Sequence, residues 1–280
     1  MRGLILAMLL VLPSLSHAGL LDLLPLKKIE RKMLYPLSSV EVDPRSLGLK
    51  RVELHDLDHD NHRLLVWVLK ASDPNAPTIL YFHGNAGNLA TRAARFVEFQ
   101  TQGFNVIAMS YRGSSGSGGK PSEAGISADA WHVYQQAEKL IANTTPQKII
   151  LYGESLGSAV AIALLEALAP DERPAGLVLE APFTSIPAMA QTMADIPPKL
   201  IARISDRWDS LSRVKAITVP LLILHGTADE VTPISMGRAL FAQAPVKDKD
   251  FIAVRGASHE ETWRHDTMKR LHRFIRTYAH

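Results

Sequence analysis

The chain has 280 residues, of which 46% are hydrophobic and 21% charged, and this balance excludes disordered, collagen-like and low-complexity proteins. Its 31 basic and 28 acidic side chains give a net charge of +3, too small an excess to indicate a nucleic-acid partner. Cysteine is absent, which excludes a cysteine nucleophile, disulfides and thiolate metal sites.

The start of the chain has the pattern of a secretory signal peptide. A basic residue precedes the apolar run Leu4–Leu12, and the small residues Ser16 and Ala18 fit cleavage after Ala18. We therefore expect an exported protein, either periplasmic or secreted. An uncleaved N-terminal membrane anchor is the alternative, because four leucines at positions 20, 21, 23 and 24 prolong the apolar stretch.

The predicted organisation is a signal peptide over residues 1–18, a lead-in over 19–30 and one domain over 31–280. The lead-in and the start of the domain carry a basic cluster of four residues, Lys27, Lys28, Arg31 and Lys32. Such a cluster is typical of a solvated face. Peripheral contact with an anionic membrane surface is the alternative interpretation.

Short apolar or β-branched runs bounded by turn residues recur along the domain and predict strands. The predicted strands are Arg51–Leu57, Arg63–Lys70, Thr78–Phe82, Asn105–Ser110, Lys148–Tyr152, Leu177–Glu180, Pro220–His225 and Asp250–Val254. Stretches with helical spacing lie between most of them, at Leu89–Gln102, Ser122–Ala142, Ser155–Ala167, Ile234–Ala244 and Thr262–Thr277. The alternation predicts an α/β fold with a mostly parallel, doubly wound sheet. The turn-rich residues 58–61 predict an N-terminal antiparallel hairpin.

One strand runs directly into the sequence Gly153-Glu154-Ser155-Leu156-Gly157 and then into an apolar helical stretch. A Gly-x-Ser-x-Gly sequence between a strand and a helix is typical of a sharp turn whose apex hydroxyl projects from the sheet. The apex also lies at a helix N-terminus, which favours developing negative charge. Ser155 is therefore the candidate nucleophile; an ordinary helix N-cap is the alternative.

A serine hydroxyl needs a general base, and the base needs a group that fixes its tautomer. Asp229 and His259 each lie in the loop after a predicted strand, and the chain order Ser155, Asp229, His259 is that of an α/β-hydrolase triad. Asp229 could instead cap the helix that begins near Pro233. Glu180, at another strand end, is the alternative acid.

Other polar residues at turns are predicted to be structural. His83 and His225 also end strands, but each precedes a glycine and is typical of a turn. The segment Asp58–His62 holds two histidines and two aspartates, and we interpret it as a polar turn rather than a metal site. We expect neither a metal nor a cofactor.

Six motifs follow one another between residues 30 and 278, at positions 82–88, 111–113 with 121–123, 153–157, 179–186, 225–229 and 258–259. Together they resemble the α/β-hydrolase superfamily, and more closely its bud-emergence-type, abhydrolase-domain branch, which is related to serine aminopeptidase-like lipases. The resemblance implies that the loop beginning at His83 supplies an oxyanion hole, formed by the backbone N–H groups of Asn85 and Leu156.

The chain departs from the family pattern at the rim of that site. Ser110 stands where the family often has Asp, and the loop Ser114–Gly119 replaces a tighter turn, so substrate preference does not carry over from the family. The segment between Glu180 and Pro220 is too short for a large cap domain. Its apolar part, Ile186–Trp208, predicts either a short flap over the serine or packing against the sheet.

These features predict a serine hydrolase that cleaves carboxylic esters or thioesters, with a small-molecule or lipid-like acyl substrate, through an acyl-enzyme intermediate. A peptidase or amidase with the same three residues is the first alternative. A catalytically idle binding protein of the same fold is the second, because a fold alone does not establish activity.

Overall fold

The computed structural model describes residues 26–193 and 196–280. The predicted signal peptide and its cleavage site lie outside the described residues. The strands are β1 Val52–His59, β2 His62–Leu69, β3 Thr78–Phe82, β4 Asn105–Met109, β5 Ile149–Glu154, β6 Gly176–Glu180, β7 Leu221–Gly226 and β8 Lys249–Val254. The α-helices are α1 Leu26–Leu34, α2 Ala93–Thr101, α3 Glu123–Gln135, α4 Ala137–Leu140, α5 Leu156–Ala167, α6 Ile186–Met193, α7 Pro198–Ile201, α8 Ile234–Gln243 and α9 His265–Tyr278. None of the helices within these two ranges is long and apolar enough to span a bilayer.

The strands form one sheet in the order β1-β2-β4-β3-β5-β6-β7-β8. β1 and β2 are antiparallel, as are β2 and β4, and every pair from β4 to β8 is parallel. Asp60 and Asn61 join β1 to β2 with φ angles of 51° and 58°, the backbone of a two-residue hairpin turn. The predicted α/β fold, with its mostly parallel, doubly wound sheet and N-terminal hairpin, is confirmed.

Helices cover both faces of the sheet because the central strands bury both of their sides. In β3, Leu80 and Phe82 belong to the buried core that includes residues of α3, α5 and α8, whereas Ile79 and Tyr81 belong to the core on the opposite face, with residues of α2 and α9. All five β3 residues are buried. This double burial explains why the central strands are almost continuously apolar in the sequence.

The helix predicted over Ser122–Ala142 is interrupted. α3 ends at Gln135, and the Gln136 N–H is shared between the carbonyls of His132 and Val133, at 3.2 Å and 3.1 Å. A shared bond of this kind tightens the last turn of α3, and a separate short helix, α4, begins at Ala137. The apolar spacing continues across the interruption, which is why the sequence predicts one helix.

The N-terminal segment, residues 26–40, packs against two distant parts of the chain. The Glu30 carboxylate accepts hydrogen bonds from the backbone N–H groups of Ser205 and Asp206, at 2.9 Å and 2.8 Å. The buried Tyr35 hydroxyl donates to Asp206 at 2.7 Å and accepts from the Trp208 indole at 2.9 Å. The predicted boundary between residues 30 and 31 therefore falls inside a docked helix.

Beyond α1 the same segment runs along the loop that follows β3. Leu37 forms a parallel bridge with Gly87, and the side chains of Asn85 and Asn88 donate to the carbonyls of Leu34 and Val40, each at 3.1 Å. The N-terminal segment thus connects the loop after β3 with residues 205–208.

Candidate active site

Ser155 occupies the turn between β5 and α5 in a strained conformation. Its φ of 52° and ψ of −111° lie in a region that L-residues rarely adopt, and the Ser155 N–H donates to the Glu180 carbonyl at 2.8 Å. The side chain makes no capping hydrogen bond to α5. Its hydroxyl is therefore available for contacts outside the helix.

Two glycines allow this turn because the backbone around it is in close contact. A Cβ on Gly153 would lie 2.4 Å from the Gly157 carbonyl oxygen, and a Cβ on Gly157 would lie 2.0 Å from the Phe82 carbonyl oxygen. Both separations are far below van der Waals contact. The glycines of the Gly-x-Ser-x-Gly sequence are thus required by the approach of α5 to β5 and β3.

Ser155, His259 and Asp229 lie within hydrogen-bond distance of one another. His259 Nε2 is 3.0 Å from the Ser155 hydroxyl oxygen, and His259 Nδ1 is 2.8 Å from Asp229 Oδ2. A carboxylate accepts only, so Nδ1 of the neutral ring carries the proton and Nε2 presents a lone pair to the serine. The three residues come from the ends of β5, β7 and β8, whose carboxyl ends share one edge of the sheet.

Asp229 is buried and held in one orientation. Its Oδ1 accepts from the backbone N–H groups of Val231 and Thr232, at 2.9 Å and 2.8 Å. Burial raises the pKa of this carboxyl, but hydrogen bonds from His225, His259 and the backbone outweigh it and hold the pKa well below the usual range. Asp229 is therefore a stable anion that organises its own loop, and α8 begins beyond it without a side-chain cap.

The pKa of His259 is raised above its ordinary value. Burial alone would lower that pKa, but the hydrogen bond and charge of Asp229, together with the negative charges of Glu180 and Glu154, overcome the effect. The imidazole therefore accepts a proton more readily than a solvated histidine. A base for the Ser155 hydroxyl needs this property.

The residues implied as oxyanion donors follow two paired strands. Phe82 of β3 is paired with Gly153 of β5, and Asn85 and Leu156 each lie three residues further along the chain. Leu156 is the first residue of α5, where backbone N–H groups lack an acceptor within the helix. The side-chain amide of Asn85 donates a hydrogen bond to the Leu34 carbonyl, so the side chain is directed toward the N-terminal segment.

The loop that begins at His83 is supported by Tyr111. The Tyr111 hydroxyl donates to the His83 carbonyl at 2.7 Å, and the two rings stack with their centroids 4.0 Å apart. Burial lowers the pKa of His83 to about 3, so its ring is neutral and donates from Nδ1 to the Gly84 carbonyl. Ser110 donates to the Ser114 carbonyl at 2.7 Å, which closes the neighbouring loop.

Glu180 lies away from His259 in a separate cluster. Its carboxylate is 1% exposed, forms an ion pair with Arg95, and accepts hydrogen bonds from the hydroxyl groups of Tyr152 and Thr262. The structure places Asp229, and not Glu180, beside His259. The sequence gives no sign of Arg95 and Thr262 as partners of Glu180, because they lie 85 and 82 residues from it along the chain and no local pattern indicates the contact.

Two polar residues at the turn of the first hairpin, His59 and Asp60, are engaged with protein groups. His59 Nδ1 is 2.8 Å from Asp129, and Asp60 pairs with Arg112 at 2.8 Å. Within residues 26–193 and 196–280 no group of three or more His, Cys, Asp or Glu is arranged to hold a metal ion.

The chain is similar in sequence to one hydrolase family and to individual proteins of known sequence. The sequence profile of the serine aminopeptidase family, S33, matches residues 73–209 and 208–263. Protein bem46 of Schizosaccharomyces pombe is 34% identical over 222 residues, which cover 78% of this chain and 73% of that protein. Lysophosphatidylserine lipase ABHD12 of Xenopus tropicalis is 33% identical over 195 residues, covering 63% of this chain and 49% of that protein.

The chain is also similar in structure to an esterase of Pyrococcus furiosus. The two superpose with a TM-score of 0.69 at 19% sequence identity, over 88% of this chain and 98% of the esterase. At 19% sequence identity, this similarity shows that the two proteins share a fold.

The contact around Gly157 generates a prediction about stability. We expect Gly157→Ala to lower the free energy of unfolding by at least about 2 kcal/mol, because its methyl group would overlap the Phe82 carbonyl. Urea denaturation followed by circular dichroism measures the change. The control is Gly118→Ala, whose Cβ would contact its nearest neighbours in Arg63 at an ordinary 3.6 Å. Equal stability of the two variants would contradict the prediction.

Proposed function

The chain belongs to the S33 serine aminopeptidase family, and we propose that it is a serine hydrolase that cleaves carboxylic esters or thioesters through an acyl-enzyme intermediate. Membership agrees with the resemblance to the abhydrolase-domain branch that the sequence motifs indicate. The observation that carries the proposal is the hydrogen-bonded series from Ser155 through His259 to Asp229, at 3.0 Å and 2.8 Å.

In the proposed first half-reaction, the Ser155 oxygen attacks the carbonyl carbon while its proton passes to His259 Nε2. The buried Asp229 anion stabilises the resulting imidazolium and keeps its Nδ1–H in place. The carbonyl oxygen becomes an oxyanion, which would accept hydrogen bonds from the backbone N–H groups of Asn85 and Leu156. Loss of one such donor typically costs ~10²–10³ in rate.

The tetrahedral intermediate then collapses. The bond between the acyl carbon and the leaving group breaks, and His259 returns its proton to the departing alcohol or thiol. In the second half-reaction, water attacks the acyl carbon of the Ser155 ester while His259 takes a proton from it. The bond between the acyl carbon and the Ser155 oxygen then breaks, the acid leaves, and His259 returns the proton to the Ser155 oxygen. No cofactor enters this scheme.

We place the substrate among lipid-like acyl esters. Support comes from the relative named a lysophosphatidylserine lipase, although this chain spans about half of that protein. The segment after β6 adds to it: Ile186 and Met189 of α6 are half-buried apolar residues that pack against the hydrophobic core on one face of the sheet. A peptidase with the same three residues remains the alternative outcome of a substrate screen.

We also propose that α1 contacts an anionic membrane surface. Lys28 and Lys32 lie one helical turn apart, and Ile29 and Met33 form an adjacent stripe that is 38% and 46% exposed. Glu30, the acidic residue of α1, faces residues 205–206 instead. The outward face therefore combines positive charge with apolar area, the chemistry that suits an anionic lipid interface.

We expect a fluorophosphonate probe to label the protein, because the Ser155 oxygen would displace fluoride from phosphorus and remain bound to it. Ser155→Ala should not be labelled. Ser46→Ala, which removes an exposed hydroxyl in the loop before β1, is the control and should be labelled like the wild type. Gel fluorescence measures labelling, and persistent labelling of Ser155→Ala would show the proposed nucleophile to be wrong.

A panel of p-nitrophenyl esters and p-nitroanilides then separates esterase from amidase activity.

The rate should depend on pH through His259. We expect kcat/KM to rise with pH and level off with an apparent pKa above ~6.5, the ordinary value for histidine, because the neutral ring is the base and its pKa is raised. Asp229→Asn should lower that apparent pKa and reduce the rate by roughly 10⁴-fold. Glu260→Gln, at the exposed neighbour of His259, is the control and should change little. An unchanged profile for Asp229→Asn would contradict the assignment.

Sedimentation with lipid vesicles tests the role of α1. Binding to vesicles that contain phosphatidylserine should exceed binding to pure phosphatidylcholine, and Lys28→Glu with Lys32→Glu should weaken it by at least about tenfold. The matched control reverses two exposed charges at the same spacing on α9, Lys269 and Arg273. Equal loss in both double variants would indicate an effect of net charge alone and contradict a specific α1 contact.

A further inference from the structure

We propose that Glu180 is a positioning residue: it ties the loop that carries His259 to the turn that carries Ser155, through the hydroxyl of Thr262. The inference rests on the proposed roles of Ser155 and His259. Glu180 itself does not touch either reacting atom, because its carboxylate is directed into the cluster beneath the sheet edge.

The main chain of Glu180 holds the serine turn. Its carbonyl accepts the Ser155 N–H at 2.8 Å and the Ser158 hydroxyl at 3.2 Å. The single O–H of Ser158 is shared with the Gly153 carbonyl, at 2.9 Å. The Glu180 carbonyl at the end of β6 thus holds the strained turn directly at Ser155 and again at Ser158, one turn into α5.

The side chain of the same residue holds the histidine loop. The Thr262 hydroxyl donates to Glu180 Oε1, and Thr262 is fully buried three residues after His259. Glu180 Oε2 accepts from the Tyr152 hydroxyl at 2.6 Å, and Arg95 neutralises the carboxylate through both of its terminal nitrogens. One residue therefore contacts both halves of the site.

The next residue of the histidine loop is attached to the same cluster. The Trp263 indole donates to the Tyr152 hydroxyl at 2.9 Å, and the Arg95 guanidinium lies 4.6 Å from the Trp263 ring centroid. On its other side the loop is held by Ala257, whose carbonyl accepts the Ala228 N–H at 3.0 Å. His259 lies between these two attachments.

Stability alone does not account for a charged cluster in this position. A buried ion pair is often no more stabilising than apolar residues of the same volume, whereas a fully bonded carboxylate defines the direction of each donor. Direction matters at the histidine, because a displacement of about 1 Å at a reacting group can cost about 100-fold in rate. The Glu180 cluster supplies that directional constraint.

The test replaces Thr262 by a valine of nearly the same shape, which removes the hydroxyl that donates to Glu180. We expect Thr262→Val to lower kcat for a p-nitrophenyl ester by roughly 10- to 100-fold with little change in KM, and to slow fluorophosphonate labelling in proportion. Thr262→Ser, which restores the donor, should recover most of the rate. The control is Thr144→Val: this buried threonine bonds to Thr78 at the opposite edge of the sheet, at 3.1 Å. Loss of the Thr144 hydroxyl should leave kcat unchanged.

Hydrogen exchange gives a readout that does not depend on activity. Backbone amides of residues 256–261 should exchange faster in Thr262→Val than in the wild type, and not in Thr144→Val. Wild-type kcat with unchanged exchange in Thr262→Val would overturn the inference, as would an equal loss of kcat in both valine variants. A wild-type protein that is not labelled would refute the proposed function, whereas the exchange data would still decide whether Glu180 and Thr262 hold the loop.

Discussion

The arrangement of the site depends on how closely helix α5 approaches strands β3 and β5. The contact is so tight that neither Gly153 nor Gly157 has room for a methyl group. A helix at that distance forces the chain to turn within a few residues, and Ser155 takes a positive φ as a result. The position of the Ser155 hydroxyl at the start of α5 follows from this packing contact, and the loop after β8 brings His259 to it.

Beneath the turn lie two acid–arginine pairs, largely shielded from solvent, whose acids stand on neighbouring strands. Glu154 pairs with Arg92 and Glu180 with Arg95, and Glu154 and Glu180 are register partners across β5 and β6. The pairing largely neutralises the carboxylates, yet their negative charges still help to raise the pKa of His259. The same groups that stabilise this edge of the sheet therefore also adjust the proton affinity of the proposed base.

The sheet and the positions of the three site residues could be predicted from the sequence, because the patterns that indicate them lie within short segments of the chain. The apolar strand before Gly153 identifies the turn, and the loops that carry Asp229 and His259 follow from the order of the strands. The partners of Glu180 could not be predicted, since they depend on the register of distant segments. The same holds for α1: the residues that its Glu30 contacts lie more than 170 positions further along the chain, so no periodicity reveals that the helix docks.

The wide separation of the site residues has a consequence for how the site is assembled. Ser155 and His259 are 104 residues apart, and β7 and β8 must join the sheet before the histidine loop reaches the serine. Long-range parallel pairing of this kind is intrinsically slow. The turn at Ser155 is held by β3, β5, β6 and α5, none of which includes the loop that carries His259. A chain that lacked β8 would therefore keep the elements of this turn without the proposed base, so the proposed activity requires the last strand of the sheet.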